Sequence, residues 1–286
     1  MLYTIAVRKE FEKENLSDGE KLSVFYHDLF DYPLNFSDLI KWKANDRSIF
    51  NNQQLAISNK SGYCFLEGKE GNIYKRALRK RISAKKLAIA LNVTKLLRFV
   101  PGIKMAAVTG SLAMENATDE SDIDLMIITK KGTLWTTRLL VYWFIGLFGI
   151  PFRRAGRQGE RDKLCLNIWL DESDLIWNKK DRNIYSAHEI GQIRPLVNKD
   201  KTYENFLRAN QWILKFWPNA VKISGDKDIK LKVIKKEYFI SFLEKFAYWI
   251  QYRHMKSRIT REVVSPSRAL FHPQDWGKII LSRLGS

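Results

Sequence analysis

The sequence predicts an α/β (α+β) protein built on a small mixed sheet, with helices before and after it in the chain. Three observations predict it. Two short apolar runs, Met105 to Val108 and Leu125 to Ile128, bracket a polar loop, as neighbouring strands of one sheet do. A third run, Lys163-Leu-Cys-Leu-Asn-Ile-Trp-Leu170, is apolar without regular alternation, the pattern of a strand buried on both faces. Around these runs apolar residues recur at helical spacing: Leu78, Ile82, Leu87, Leu91, Leu96 and Leu97 before them, and Phe239, Phe242, Phe246, Trp249 and Ile250 after them.

The 286 residues leave room for two domains, or for one with appendages. A content of 45% hydrophobic and 13% aromatic residues supplies a globular core and excludes a low-complexity chain. The net charge of +18 points to a polyanionic partner, nucleic acid above all; anionic lipid is the alternative that charge alone leaves open. Cys64 and Cys165 are far apart and lack metal-ligand spacing, so no disulfide framework is expected and a reducing cytoplasm is. His27, His188, His254 and His272 are scattered and form no zinc motif. The N-terminus has no signal-peptide apolar region. The uncharged stretch Leu139 to Phe152 has fourteen residues, against about twenty for a bilayer span. It is expected to be a buried helix without stable membrane insertion, an interfacial role being the alternative.

Residues 1–74 read as a separate module. Ser17-Asp-Gly-Glu20 has capping-box spacing and opens a helix through about Leu29. Asp31-Tyr-Pro33 ends it, because proline pushes the preceding residue out of helical geometry. A second helix is expected from Phe36 to Trp42, capped by Asn35 or Ser37, and a third from Ser48 to Ser58. After Lys60-Ser-Gly62, a β-hairpin is expected from Tyr63-Cys-Phe-Leu66, a turn at Glu67–Gly71 and Asn72-Ile-Tyr74. Three short helices followed by a hairpin, with Phe30-Asp-Tyr-Pro-Leu34 before the second helix, resemble a winged helix-turn-helix. That resemblance makes the third helix, with Asn51, Asn52, Gln53 and Gln54, the recognition helix and the hairpin the wing. Its amides suit adenine edges, a solvated face or a protein contact.

Residues 75–104 read as a basic linker helix. Between Lys69 and Lys104 eleven Lys or Arg stand against one acid, Glu70. The helix buries its leucine stripe and exposes a basic one, either a phosphate-tracking surface or an ordinary solvated face. It runs to Pro101-Gly102, directly before the first strand of the core, which spans residues 105–175.

Within that core, Val108 leads to Gly110-Ser111, and Asp122-Ile-Asp124 opens the second strand. Residues at i and i+2 of a strand share a face, so Asp122 and Asp124 point the same way while Ile123 and Leu125 turn towards a core. Two carboxylates side by side repel each other unless a cation sits between them, and Mg²⁺ takes oxygen ligands of this kind together with phosphates. The Gly-Ser turn lets backbone N–H groups approach an anion closely.

Gly110-Ser111, ten intervening residues and then Asp-Ile-Asp resemble the signature of the polymerase-beta-like nucleotidyltransferase superfamily. The resemblance implies a mixed-sheet core, an NTP substrate, Mg²⁺ or Mn²⁺ held by Asp122 and Asp124, and terminal phosphates held at Gly110 and Ser111. Arg153, Arg154, Arg157 and Arg161 form a basic loop suited to a triphosphate or a nucleic-acid backbone, because guanidinium binds phosphate bidentately. The family's third carboxylate, a general base or second metal ligand, comes from the strand that here reads Lys163 to Leu170, and Asn167 occupies its position. Asn cannot take a proton and ligates a metal only through a neutral oxygen. Asp171, Glu172 or Asp174 are candidate substitutes; loss of activity is the other outcome.

Residues 176–286 read as helical, with helices from His188 to Ile193, Tyr203 to Phe216 and Lys235 to about Thr260. The leading expectation is transfer of a nucleotidyl group from an NTP to a hydroxyl, with RNA, tRNA-like, preferred as acceptor and DNA a further partner. The alternatives are a small-molecule acceptor, or a nucleic-acid-binding protein whose nucleotidyltransferase core is a catalytically reduced scaffold.

Overall fold

A computed structural model of the chain describes residues 16–45, 56–153, 160–223, 242–271 and 275–285. Helix α1 spans Asp18–Asp28, where the Glu20 carboxylate accepts from the Ser17 N–H at 2.8 Å and closes the expected capping box. Strand β1 is Leu34–Asn35, and helix α2 is Phe36–Lys41, capped by Asn35, whose side chain accepts from the Asp38 N–H. The expected recognition helix falls largely outside the described residues, including Asn51, Asn52, Gln53 and Gln54. Its last residues belong to strand β2, Ile57–Lys60, which pairs antiparallel with β3, Tyr63–Leu66.

The hairpin therefore differs from the expected one. Its turn is Ser61-Gly62, with φ of 53° and 76°, the conformation a two-residue hairpin loop requires. β1 joins on the other side of β3, giving the order β1-β3-β2. Residues 72–74, expected as a strand, lie instead in helix α3, Gly71–Leu97. Tertiary contacts decide this. The Arg76 guanidinium bonds the Pro33 carbonyl and the Asp38 carboxylate and lies 4.1 Å from the Tyr32 ring centroid, so the first turns of α3 are fastened to the segment before α2.

The basic face of α3 also divides in two. Arg76 and Lys86 are buried. Arg79 donates to Asn116 Oδ1, Ser83 Oγ accepts from the Ala117 N–H, and Lys86 Nζ donates to the Asp119 and Ser121 carbonyls and to Asp162. These residues are three and four apart, so one helix face grips the loop that leads to Asp122. Arg81, Lys85 and Lys95 remain exposed.

Strand β4, Ile103–Val108, the short helix α4, Gly110–Ala113, strand β5, Ile123–Thr129, helix α5, Leu134–Leu147, and strand β6, Leu164–Asp171, follow, the three strands falling on the apolar runs of the sequence. The pair β5–β6 is parallel, with α5 in the crossover, and the other pairings of this sheet are antiparallel. The last third of the chain adds more than helices. It supplies helix α6, Ile184–Gly191, strand β7, Arg194–Asn198, helices α7, Thr202–Ala209, and α8, Phe242–Met255, strands β8, Val263–Ser265, and β9, Arg268–Leu270, and helix α9, Trp276–Leu284. The six-stranded order is β7-β4-β5-β6-β9-β8. Pro195 sits in β7 at the sheet edge, the place in a sheet where proline is tolerated.

Strand alternation sends side chains to two cores. One joins Met105, Ala107, Met126 and Ile128 to Leu22, Tyr26 and Trp42 of the N-terminal segment and to Ile184, Phe206 and Trp217. The other joins Ala106, Val108, Ile123, Leu125 and Ile127 to Leu97, Leu134, Trp135 and Ala247. The 139–152 stretch is only half covered, which corrects the expectation of a buried helix: Val141 and Ile145 are buried, whereas Leu139, Leu140, Trp143 and Leu147 are exposed. With the sheet on one side and α8 alongside, the outward face of α5 has no layer over it among the described residues. No described helix is long and apolar enough to cross a membrane.

Candidate functional site

The site forms where β4 ends and β5 and β6 begin beside one another. Ile123 and Leu125 point into the second core, so Asp124 points to the opposite side of the sheet, as the alternation requires. Asp122 lies just ahead of β5. Its carboxylate, that of Asp124 and the Cys165 sulfur offer ligand atoms all within 4.8 Å of one another. Gly110 follows β4 with φ of 58°, and a Cβ there would stand 2.8 Å from Asp124 Oδ2. Only glycine lets the turn and the carboxylate come this close.

Asn167 reaches the same point by a local irregularity. Leu125 pairs with Leu166 and Met126 with Ile168, so Asn167 is the extra residue of a bulge in β6. Its Nδ2 donates to Asp124 Oδ1 at 2.7 Å, while its Oδ1 is buried without a partner among the described residues. Burial first, and the Asp122 charge second, push the Asp124 carboxyl up to about 7. A cation between the two carboxylates would remove that penalty.

Of the expected arginines, Arg153 arrives. Its Nη1 lies 3.1 Å from Asp122 Oδ2 and its Nε 2.7 Å from Glu160 Oε1. Arg161 pairs with Asp119 at 2.7 Å and not with the carboxylates. Arg154 and Arg157 lie outside the described residues. Asp171, Glu172 and Asp174, candidates for the missing carboxylate, are at the other end of the strands, where Asp171 stands opposite Thr129. Asp171 accepts from the Gly132 N–H, Glu172 from the Lys131 N–H, and Asp174 from Ser267 and Arg268. They hold loops and do not approach the site.

The donor set fits a hard divalent ion. Two carboxylates converge and the orphaned Asn167 oxygen lies beside them, in keeping with Mg²⁺ or Mn²⁺. Cys165 does not belong to that set, because burial and the nearby carboxylates hold its thiol well above its usual range, and a neutral thiol is a poor ligand for such ions.

Residues 93–177 match the family model of the nucleotidyltransferase domain. This part of the chain is similar to a nucleotidyltransferase domain. The match runs from the end of α3 past β6 and includes Gly110, Ser111, Asp122, Asp124 and Asn167, consistent with the polymerase-beta-like superfamily that the spacing resembles. No curated protein and no solved structure matches the chain.

The matched residues supply one wall of a cleft of about 1640 Å³, and other described residues supply the rest. Helix α6 contributes Tyr185 and Glu189, and α9 contributes Trp276 and Lys278. Sequence reasoning passed over these residues. The local signals for α6, its amphipathic spacing and the Asn183 cap, do not say what it faces. His27 and His188, scattered in the sequence, meet with their Nε2 atoms 3.1 Å apart beneath the cleft. Burial holds His27 down to about 4 and lowers His188 as well, so both stay neutral among Tyr26, Trp42 and Trp217.

Proposed function

We propose that the protein transfers a nucleotidyl group from an NTP to a hydroxyl acceptor, with RNA the preferred acceptor. The observation that carries this reading is the convergence of Asp122 and Asp124 beside the Gly110-Ser111 turn, within a nucleotidyltransferase domain. Asp122 and Asp124 would hold Mg²⁺ or Mn²⁺, which neutralises phosphate charge when bound. Ser111 and the backbone N–H groups of the turn hold the terminal phosphates. Arg153, released from Asp122 when a cation takes that carboxylate, binds phosphate oxygens, and Arg154 is next to it in sequence. Positioning and charge neutralisation carry most of the catalysis in such transfers. The net charge of +18 and the exposed Arg81, Lys85 and Lys95 of α3 support a polyanionic acceptor. The cleft exceeds what one nucleotide fills, which leaves room for the acceptor's end. Two free cysteines support a cytoplasmic setting.

A second reading is a nucleic-acid-binding protein on a reduced scaffold. Asn167 in the carboxylate position supports it, as does the β1-β3-β2 sheet with α1 and α2, an order compatible with a winged helix that reads DNA. One experiment separates the two. The protein is incubated with each labelled NTP, Mg²⁺ or Mn²⁺ and total RNA, with Asp122→Ala/Asp124→Ala as control. Label transfer lost in the double variant is expected. Transfer that persists refutes the metal site, and no transfer with salt-sensitive duplex DNA binding favours the second reading.

A further inference from the structure

The domain's own strands carry no residue that can accept the proton of an attacking hydroxyl once Asp122 and Asp124 are committed to a cation. Asn167 offers an amide in the position where that group is expected, and the acids at the far end of β6 are engaged elsewhere. A carboxylate does stand across the cleft. Tyr185 and Glu189 are four residues apart on α6, so they share its cleft-facing side, while Ile184, Ala187 and Ile190 fill the core behind them. Glu189 accepts from Gln192 Nε2 at 2.8 Å, and among the described residues it forms no ion pair.

A carboxyl set into a wall without a counter-charge is costly, and active sites are where such costs are found. The titratable groups facing Glu189 are Tyr26 from α1, Tyr185 from its own helix and Asp124 from β5. The other elements packed on α6 present apolar groups, Ile213 and Trp217 from the segment after α7 and Ile280 and Leu284 from α9. No cation faces it. Burial, and then the Asp124 charge, push its carboxyl up to about 8, and a cation on Asp124 would bring it back towards neutrality.

We propose that Glu189 is the general base of the transfer, acting from helix α6 in place of the strand carboxylate that Asn167 replaces. The proposal rests on the nucleotidyl-transfer reading of this site. The acceptor oxygen forms a bond to the α-phosphorus of the NTP, and its proton passes to a Glu189 oxygen. The bond from that phosphorus to the oxygen bridging to the β-phosphate breaks, and its electron pair leaves with pyrophosphate. Glu189 then releases the proton to water in the cleft.

The test uses the full chain with Glu189→Gln and Glu189→Asp. Transfer of label from NTP to RNA, pyrophosphate release, Mg²⁺-NTP binding and thermal melting are measured for each. Glu189→Gln is expected to lower kcat by about 10²–10³-fold, leave KM for NTP within about threefold, and flatten the alkaline-rising limb of the pH–rate profile. Glu189→Asp recovers part of the rate. A Glu189→Gln protein that keeps its kcat and its pH limb overturns the assignment while nucleotidyl transfer stands. One that loses NTP binding and melting temperature together shows a structural role and overturns it as well. A wild-type protein that neither transfers nor hydrolyses any NTP overturns the transfer reading itself, and the base with it.

Discussion

Lys86 donates to the Ser121 carbonyl at 2.8 Å, one peptide before Asp122. The same ammonium donates to the Asp119 carbonyl and to Asp162, so its three donors are all used and it is almost fully buried. A lysine of the basic helix is thus a fastening for the loop that leads to Asp122. Lys86→Met is expected to cost about 2–3 kcal/mol, because two carbonyls lose their donor. Asp162→Asn, whose carboxylate is half exposed, should cost under about 1 kcal/mol. Urea unfolding checks both, and Mg²⁺-NTP binding should weaken in Lys86→Met at temperatures where it remains folded. Equal stability of Lys86→Met and wild type would contradict the fastening.

Gly110 should tolerate no side chain. Its φ of 58° and the 2.8 Å approach of Asp124 Oδ2 mean that Gly110→Ala displaces the carboxylate. A stability loss of about 1–2 kcal/mol should accompany a transfer rate lower by about 10²-fold. Melting and single-turnover assays separate the two effects. A variant of wild-type activity would show that the turn does not have to touch Asp124.

The metal-free protein should lose stability as pH rises. Asp124, ordinarily at 3.8, is held up to about 7, and Glu189, ordinarily at 4.5, up to about 8. The folded state therefore binds more protons than the unfolded one between the two sets of values. The stability these protons bring is full at acid pH and falls as pH rises through about 7–8. Thermal melts without metal should be lower at about pH 8 than at about pH 6, and Asp124→Asn should flatten the slope. Mg²⁺ should raise the melting temperature more at the higher pH, since it binds the ionised pair. A melting temperature that climbs across this window in the metal-free protein would refute the assignment.

Asn167→Asp restores a third carboxylate next to Asp124. Without metal it removes the 2.7 Å donor and adds a like charge, a cost of about 1–3 kcal/mol near neutral pH. With Mn²⁺ the added ligand should tighten binding by about tenfold. Calorimetric titration of Mn²⁺ into both proteins measures this. Unchanged affinity would place the Asn167 side chain outside the ion's reach.

The residues that announced the site were adjacent in sequence. Gly110-Ser111 and Asp122-Ile-Asp124 each form a local pattern, and the i, i+2 spacing at the start of β5 is enough to suggest that both carboxylates point one way. The capping box of α1 and the Asn35 cap of α2 were legible for the same reason, since propensity and capping act within a few residues. The hairpin was misplaced because Glu67–Gly71 and Ser61-Gly62 are both credible turns. The choice fell to Arg76, whose partners Pro33 and Asp38 are some forty residues away. Strands β7, β8 and β9 were missed because each is short and becomes a strand by pairing with one already formed.

By itself, then, the sequence determined the chemistry at the ends of β4 and β5: two carboxylates and a glycine turn, close along the chain and oriented by backbone periodicity. Only the tertiary structure decided what faces them. Lys86 became a fastening, Asn167 was aimed by a bulge, and Glu189 was carried to the far wall of the cleft by packing of α6. Those outcomes depend on burial and contact between distant segments, which no local spacing encodes.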